Sequence, residues 1–248
     1  MSIFTQLPER LYPGDGTVFA GLDRPPGFSL DTATAMALIA QLAYETDPGK
    51  ITNILSRWGM VQTERLLGRL VSFLPIASTK GFITGNDVVT IVAFGGTDPV
   101  NIVDWVTDFA LFRTAEGIHQ GFENGIAAVW GQLTALLPPR LTATGQLYLA
   151  GHSLGAALAV VAADRLVREN VVPAEQISGI YTFGTPRVGA SDFAARYEPT
   201  LGAKTFRLAY GDDIVPTPSR RMTHRSASSM SAGVSGAGTA NASTAANS

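Results

Sequence analysis

One serine stands where a serine can act as a nucleophile. Gly151-His152-Ser153-Leu154-Gly155 follows Gln146 to Ala150, which reads as a buried strand, and opens Leu154 to Glu169, an Ala-, Leu- and Val-rich stretch that reads as a helix. In a strand, sharp turn, helix arrangement the apical residue takes a strained backbone conformation. The chain on either side closes up, so glycine is needed two positions before and two after. Ser153 Oγ would then project from the carboxyl edge of a sheet, while the first N–H groups of the helix, that of Leu154 foremost, face an oxyanion forming beside it. A bare Gly-x-Ser-x-Gly is expected ~0.2 times by chance in a chain this rich in glycine, so its weight comes from this context.

A serine used for acyl transfer needs a base to take its proton and an acid to orient the base. Gly211-Asp212-Asp213-Ile214-Val215-Pro216 lies just past another strand-like run, Lys204 to Tyr210, and a turn between a strand and a proline is a firm mount for a carboxylate; Asp213 and Asp212 are the candidates. The chain has 3 histidines. His152 adjoins the nucleophile and on an elbow points away from its hydroxyl, which reads as a structural role. His224 follows Asp213 by eleven positions, a span that reaches up to about 36 Å when extended, so a loop could carry it back. Phe94-Gly95-Gly96-Thr97 ends a further strand. Asp98-Pro99 then makes a good helix start, after which Ile102, Trp105, Val106 and Phe109 fall along one helical face.

These groups need a scaffold of alternating elements. Residues 1 to 28, rich in Gly and Pro, read as an extended arm wrapped on the domain. Asp31 is expected to cap a helix carrying Met36, Ile39, Ala40 and Ala43 and stopped by Asp47-Pro48-Gly49, with a second helical stretch running to about Leu70. Gly81 to Thr84, a turn at Gly85-Asn86-Asp87 and Val88 to Phe94 read as a hairpin. Gly125 to Leu137 is expected to be helical and to end at Pro138-Pro139, and Ile177 to Phe183 is another strand. Strands alternating with helices imply an α/β fold with a mostly parallel sheet covered on both faces. The expected organisation is a single domain over residues 1–225, followed by a low-complexity tail, 226–248, that lacks the apolar surface to order itself.

Composition removes several alternatives. With 248 residues and 46% hydrophobic residues the chain can bury a sizeable core. Lys+Arg 18 against Asp+Glu 20 gives a net charge of -2 without a basic stripe, so nucleic acid is not an expected partner. Zero cysteines exclude disulfides, thiolate metal sites and a cysteine nucleophile. Pro8, Glu9 and Arg10 interrupt the N-terminal stretch where a secretory signal would be apolar, and no later apolar run reaches the roughly 18 residues a membrane span needs. The compartment stays open, with a cytoplasmic protein or one released by a non-classical route both compatible. The Asn241-Ala242-Ser243 sequon reads as incidental, and no internal repeat is visible.

Five blocks in this order, Phe94-Gly95-Gly96-Thr97 with Asp104-Trp105, His119-Gln120-Gly121-Phe122, Gly151 to Leu158, Tyr181 to Gly189 and Gly211 to Pro216, resemble the class 3 lipase family of triacylglycerol lipases over roughly residues 30 to 218. The resemblance implies an α/β-hydrolase fold, a Ser-Asp-His triad in that chain order with Ser153 and Asp213, an oxyanion hole from Leu154 and Thr97, and a lid bearing Ile102, Trp105, Val106 and Phe109. His119 matches a position that is not the base. The implied activity is carboxylic ester hydrolysis on acylglycerols or related esters, with no metal or organic cofactor, a lipid or small-molecule ester as substrate, transient contact with a lipid interface and an open oligomeric state.

Two departures matter. Gly95 stands where relatives usually carry arginine, which removes a charged anchor from the loop. The family usually places several tens of residues and another strand between acid and base. Either His224 therefore serves as base, or the chain lacks the usual last strand and is a catalytically impaired member that keeps the scaffold or binds acyl lipid.

Overall fold

The computed structural model describes residues 6–22, 27–69, 78–96, 113–141 and 145–209. Six strands form one sheet in chain order: β1 (Gln62–Arg69), β2 (Ser78–Gly85), β3 (Val89–Phe94), β4 (Gln146–His152), β5 (Ile177–Phe183) and β6 (Thr205–Leu208). β1, β2 and β3 are antiparallel, and β3 to β6 are parallel. The β2–β3 turn is built on Asn86, whose side-chain oxygen accepts from the N–H groups of Val88 and Val89, both at 3.0 Å.

Residue alternation divides the strands between two cores. Val89, Ile91 and Ala93 of β3 and Tyr148 and Ala150 of β4 pack with α1 (Leu30–Leu42), α2 (Pro48–Arg57) and the N-terminal arm. Val92, Phe94, Leu147 and Leu149 pack on the opposite face with α3 (Gln120–Ala127), α4 (Trp130–Arg140), α5 (Leu154–Arg168) and α6 (Ser191–Leu201). A period of two with apolar residues on both faces is what a sheet covered by helices on each side requires. Leu149 and Ile91 are fully buried, and each such side chain contributes roughly 1.5–3 kcal/mol.

The expected arm packs as a segment with two short turns, Glu9–Leu11 and Thr17–Phe19, and it buries Tyr12, Phe19 and Leu22. Phe19 and Trp58 rings lie 4.9 Å apart, and Trp58 Nε1 donates to the Pro13 carbonyl at 3.1 Å. Glu45, buried, holds the arm from beneath: its carboxylate meets Lys50 Nζ at 2.8 Å and accepts from Leu7 N and Tyr12 Oη, each at 3.0 Å.

Local boundaries depart from the sequence reading in four places. Ser29, not Asp31, caps α1, its side chain accepting from Thr32 N at 3.4 Å, while Asp31 sits in the first turn. α1 ends at Leu42, and Asp47-Pro48-Gly49 opens α2: Asp47 Oδ1 accepts from Gly49 N at 2.8 Å and Pro48 takes the first helical position. α2 stops at Arg57 rather than near Leu70, because Gly59 adopts φ 77 and closes a Schellman motif, with Met60 N donating to Leu55 O at 2.9 Å and Gly59 N to Ser56 O at 3.0 Å. The residues after it are free to run as β1. The stretch from Gly125 is two helices, α3 and α4, and α4 includes Pro138 and Pro139 in its last turn.

Candidate active site

β3, β4 and β5 finish level with one another, Phe94 pairing with Gly151 and His152 with Phe183, so their carboxyl ends form one edge. Ser153 is the residue between β4 and α5. Its backbone has φ 56 and ψ -121, and its N–H donates to Phe183 O at 2.9 Å. Among the described residues, Asn170 is the other non-glycine with positive φ. Asn170 closes a helix C-terminus, where asparagine is at home; a serine at this φ and ψ costs on the order of 1–3 kcal/mol and persists only when its surroundings enforce it.

Here the surroundings are backbone. A Cβ at Gly151 would collide with the Gly155 carbonyl and stand 2.6 Å from Ala156 N, and a Cβ at Gly155 would collide with the Phe94 carbonyl oxygen and stand 2.8 Å from its carbon. Both glycines of the pentapeptide are therefore required by contact between the start of α5 and the ends of β3 and β4. The Ser153 carbonyl accepts from Ala156 N at 3.0 Å and Ala157 N at 3.2 Å and so starts the helix. Leu154, the first residue of α5, has no intrahelical acceptor for its own N–H. The apex thus offers a hydroxyl and, next to it, the positive end of a 15-residue helix.

The loop after β3 lies against this elbow. Gly95 N donates to Lys80 O at 2.9 Å. A Cβ at Gly95 would collide with the Ala43 carbonyl and meet Lys80 Cγ and Cε at 3.1 Å. No side chain fits there, and the loop is held by Lys80 and the end of α1. At Gly96 a Cβ would collide with the Tyr44 hydroxyl and sit 3.1 Å from the His152 carbonyl. Tyr44 was not singled out by sequence. Its partner is 108 positions away, so no motif could have signalled it.

Two histidines are committed elsewhere. His152 Nδ1 shares a 2.7 Å hydrogen bond with Tyr44 Oη, and burial pushes its pKa down to about 4. It is turned to the tyrosine, as its structural reading required. His119, buried, caps α3 through Nδ1, which accepts from Gly121 N at 3.1 Å, while its backbone N–H donates to Val188 O at 3.1 Å. Thr97, Ile102, Trp105, Val106, Phe109, Asp213 and His224 lie outside the described residues, as does residue 226 onward. Among the described residues no group of three or more His, Cys, Asp or Glu could hold a metal ion, and no helix is long and apolar enough to cross a membrane.

A mixed sheet, parallel from β3 to β6 and covered by helices on both faces, with a strained serine between a strand end and a helix start, is the architecture of the α/β-hydrolase fold. A model of the class 3 lipase family matches residues 91–222, more than half of the chain, and the chain belongs to that family. It is 34% identical over 125 residues to the secreted mono- and diacylglycerol lipase 1 of Fusarium solani, covering 47% of this chain and 36% of that one. With a lipase of Rhizopus niveus the identity is 30% over 174 residues, covering 65% of this chain and 44% of the relative. The chain therefore spans less than half the length of either. The structure of lipase II from Rhizopus niveus superposes with a TM-score of 0.56 at 22% identity, over 78% of this chain and 77% of that one, a likeness of fold.

Proposed function

We propose that the protein is a carboxylic ester hydrolase of lipase type, acting on acylglycerols or related esters through an acyl-enzyme on Ser153. The observation that carries this reading is the Ser153 backbone, φ 56 and ψ -121, at the junction of β4 and α5. A fold maintains such strain where a side chain must be presented.

In the proposed cycle Ser153 Oγ attacks the ester carbonyl carbon as its proton passes to a histidine. The tetrahedral oxyanion is held by the N–H groups of Leu154 and Thr97. The intermediate then collapses, the alcohol leaves with the histidine's proton, and water repeats the sequence to free the acid. Asp213 orients and stabilises the charged imidazole. With His119 and His152 engaged by Gly121 N and Tyr44 Oη, His224 is the histidine assigned as base. The segment bearing Ile102, Trp105, Val106 and Phe109 is assigned as a lid that turns outward at a lipid surface.

A second reading follows from the same histidines: if His224 is not the base, the protein is a slow hydrolase or an acyl-lipid binder on the same scaffold. Hydrolysis of p-nitrophenyl esters from short to long acyl chains, by the parent, Ser153→Ala and His224→Ala, separates the two. Under the first reading Ser153→Ala and His224→Ala each lower the rate by at least ~10³-fold. A parent rate above the uncatalysed background that Ser153→Ala leaves unchanged defeats the acyl-enzyme on Ser153, a rate affected by Ser153→Ala alone selects the slow hydrolase, and a parent no faster than background selects the acyl-lipid binder.

A further inference from the structure

We propose that the Tyr44 hydroxyl is a positioning group that fixes the gap between the serine elbow and the Gly95–Gly96 loop, an inference that rests on Ser153 being the nucleophile. One oxygen atom meets both segments. It shares a 2.7 Å hydrogen bond with His152 Nδ1, lies 3.4 Å from the His152 carbonyl, and abuts Gly96 so closely that a Cβ there would collide with it. His152 immediately precedes Ser153, and Gly96 immediately precedes Thr97, the residue assigned as second oxyanion donor.

Tyr44 is itself well anchored. It is buried just past the end of α1, its N–H donates to Gln41 O at 3.2 Å, and Lys80 Nζ lies 5.7 Å from its ring centroid. The Lys80 carbonyl accepts from Gly95 N, so the loop is gripped from the β2 side by Lys80 and from the α1 side by Tyr44. A phenylalanine would fill the same aromatic volume. What only tyrosine supplies is the atom touching His152 and Gly96. Two amide donors serve one oxyanion only if their separation is right, and a displacement near 1 Å costs about 10²-fold in rate. A side chain that holds His152 and Gly96, the residues preceding the two assigned donors, acts on that separation without touching substrate.

The test combines a rate and a stability measurement on four proteins: parent, Tyr44→Phe, Gly96→Ala and the double variant. Tyr44→Phe is expected to lower kcat for a p-nitrophenyl ester by about tenfold to 10²-fold with KM changed less than about twofold, since ground-state binding does not use the gap. A merely structural tyrosine would lower the melting temperature and leave kcat per folded molecule unchanged, which overturns the proposal. Thermal melting reads the contact directly and needs no activity. Gly96→Ala is strongly destabilised because its Cβ meets the phenol oxygen. In the double variant that oxygen is gone, the nearest atoms become the ring carbon at 3.0 Å and the His152 carbonyl at 3.1 Å, and the protein melts higher than Gly96→Ala alone. Additive losses, with the double variant below both singles, overturn the proposal whatever the activity. A parent that a fluorophosphonate does not label at Ser153 sinks the reading of the site and the catalytic consequence with it, while the melting comparison still decides the contact.

Discussion

Alanine at position 155 sets two opposed effects against each other. In a helix interior Gly→Ala is worth about 1 kcal/mol in favour of alanine, and Gly155 lies in the first turn of α5. Yet its Cβ would collide with the Phe94 carbonyl oxygen, stand 2.8 Å from the Phe94 carbonyl carbon and 3.1 Å from the Gly95 carbonyl carbon. All three are backbone atoms at the end of a strand whose every residue is buried, so no side chain can swing aside. Overpacking against a rigid wall costs about 3 kcal/mol, the upper part of the usual range. The net loss is about 2 kcal/mol, and for a protein of this size that lowers the melting temperature by roughly 4–8 °C. Gly131 supplies the control. It also lies in the first turn of a helix, α4, but a Cβ there has nothing within 4 Å, so Gly131→Ala is expected to raise the melting temperature by roughly 1–4 °C. Circular dichroism melts of the two variants and the parent decide the matter. Gly155→Ala melting at or above the parent would refute the account of why the elbow needs glycine.

Three further outcomes are expected. Ser153→Gly should abolish ester hydrolysis yet melt several degrees higher than the parent, since about 2 kcal/mol of backbone strain is released; a lower melting point contradicts the strain. Because burial lowers the His152 pKa to about 4 in the folded protein from the ordinary 6.5 of the unfolded chain, the unfolded chain binds the proton more readily, so stability is full above pH ~6.5 and falls, by up to about 3 kcal/mol, as pH drops toward 4. Melts of the parent and His152→Gln across that window should converge in acid, and parallel curves would exclude His152 as the cause. Glu45→Gln should cost about 3 kcal/mol by leaving Lys50 Nζ without its carboxylate and should speed limited proteolysis within residues 6–22; an unchanged cleavage rate there rules out Glu45 as what holds the arm.

The strands read as apolar runs, Val88 to Phe94, Gln146 to Ala150 and Ile177 to Phe183, correspond to β3, β4 and β5 and were legible because a strand buried on both faces is a near-continuous apolar run. β1 was not. It is an edge strand carrying Glu64, Arg65 and Arg69, and charge on an edge strand, which guards against further pairing, mimics the polar side of a helix. Gly59 was the available signal, since a glycine at that offset ends a helix. In α6, Phe193, Tyr197 and Leu201 recur at helical spacing and are buried, but Pro199 and the polar residues between them mask the pattern in the sequence. At the site, the nucleophile and its glycines were legible in five consecutive residues, because few residue types tolerate so strained and crowded a turn. The brace supplied by Tyr44 is a tertiary fact with no local trace.

That brace also sets an order of events. Its two ends are separated by 108 positions, and closing so long a loop carries an entropy cost that local elements cannot repay by themselves. A nascent chain can form α1 long before β4 has been synthesised, yet the histidine that receives its tyrosine arrives in the same stretch as the nucleophile. A serine hydroxyl with its backbone drawn taut therefore exists only once distant parts of the chain have docked, and partly folded molecules carry an alcohol with the reactivity of any other serine.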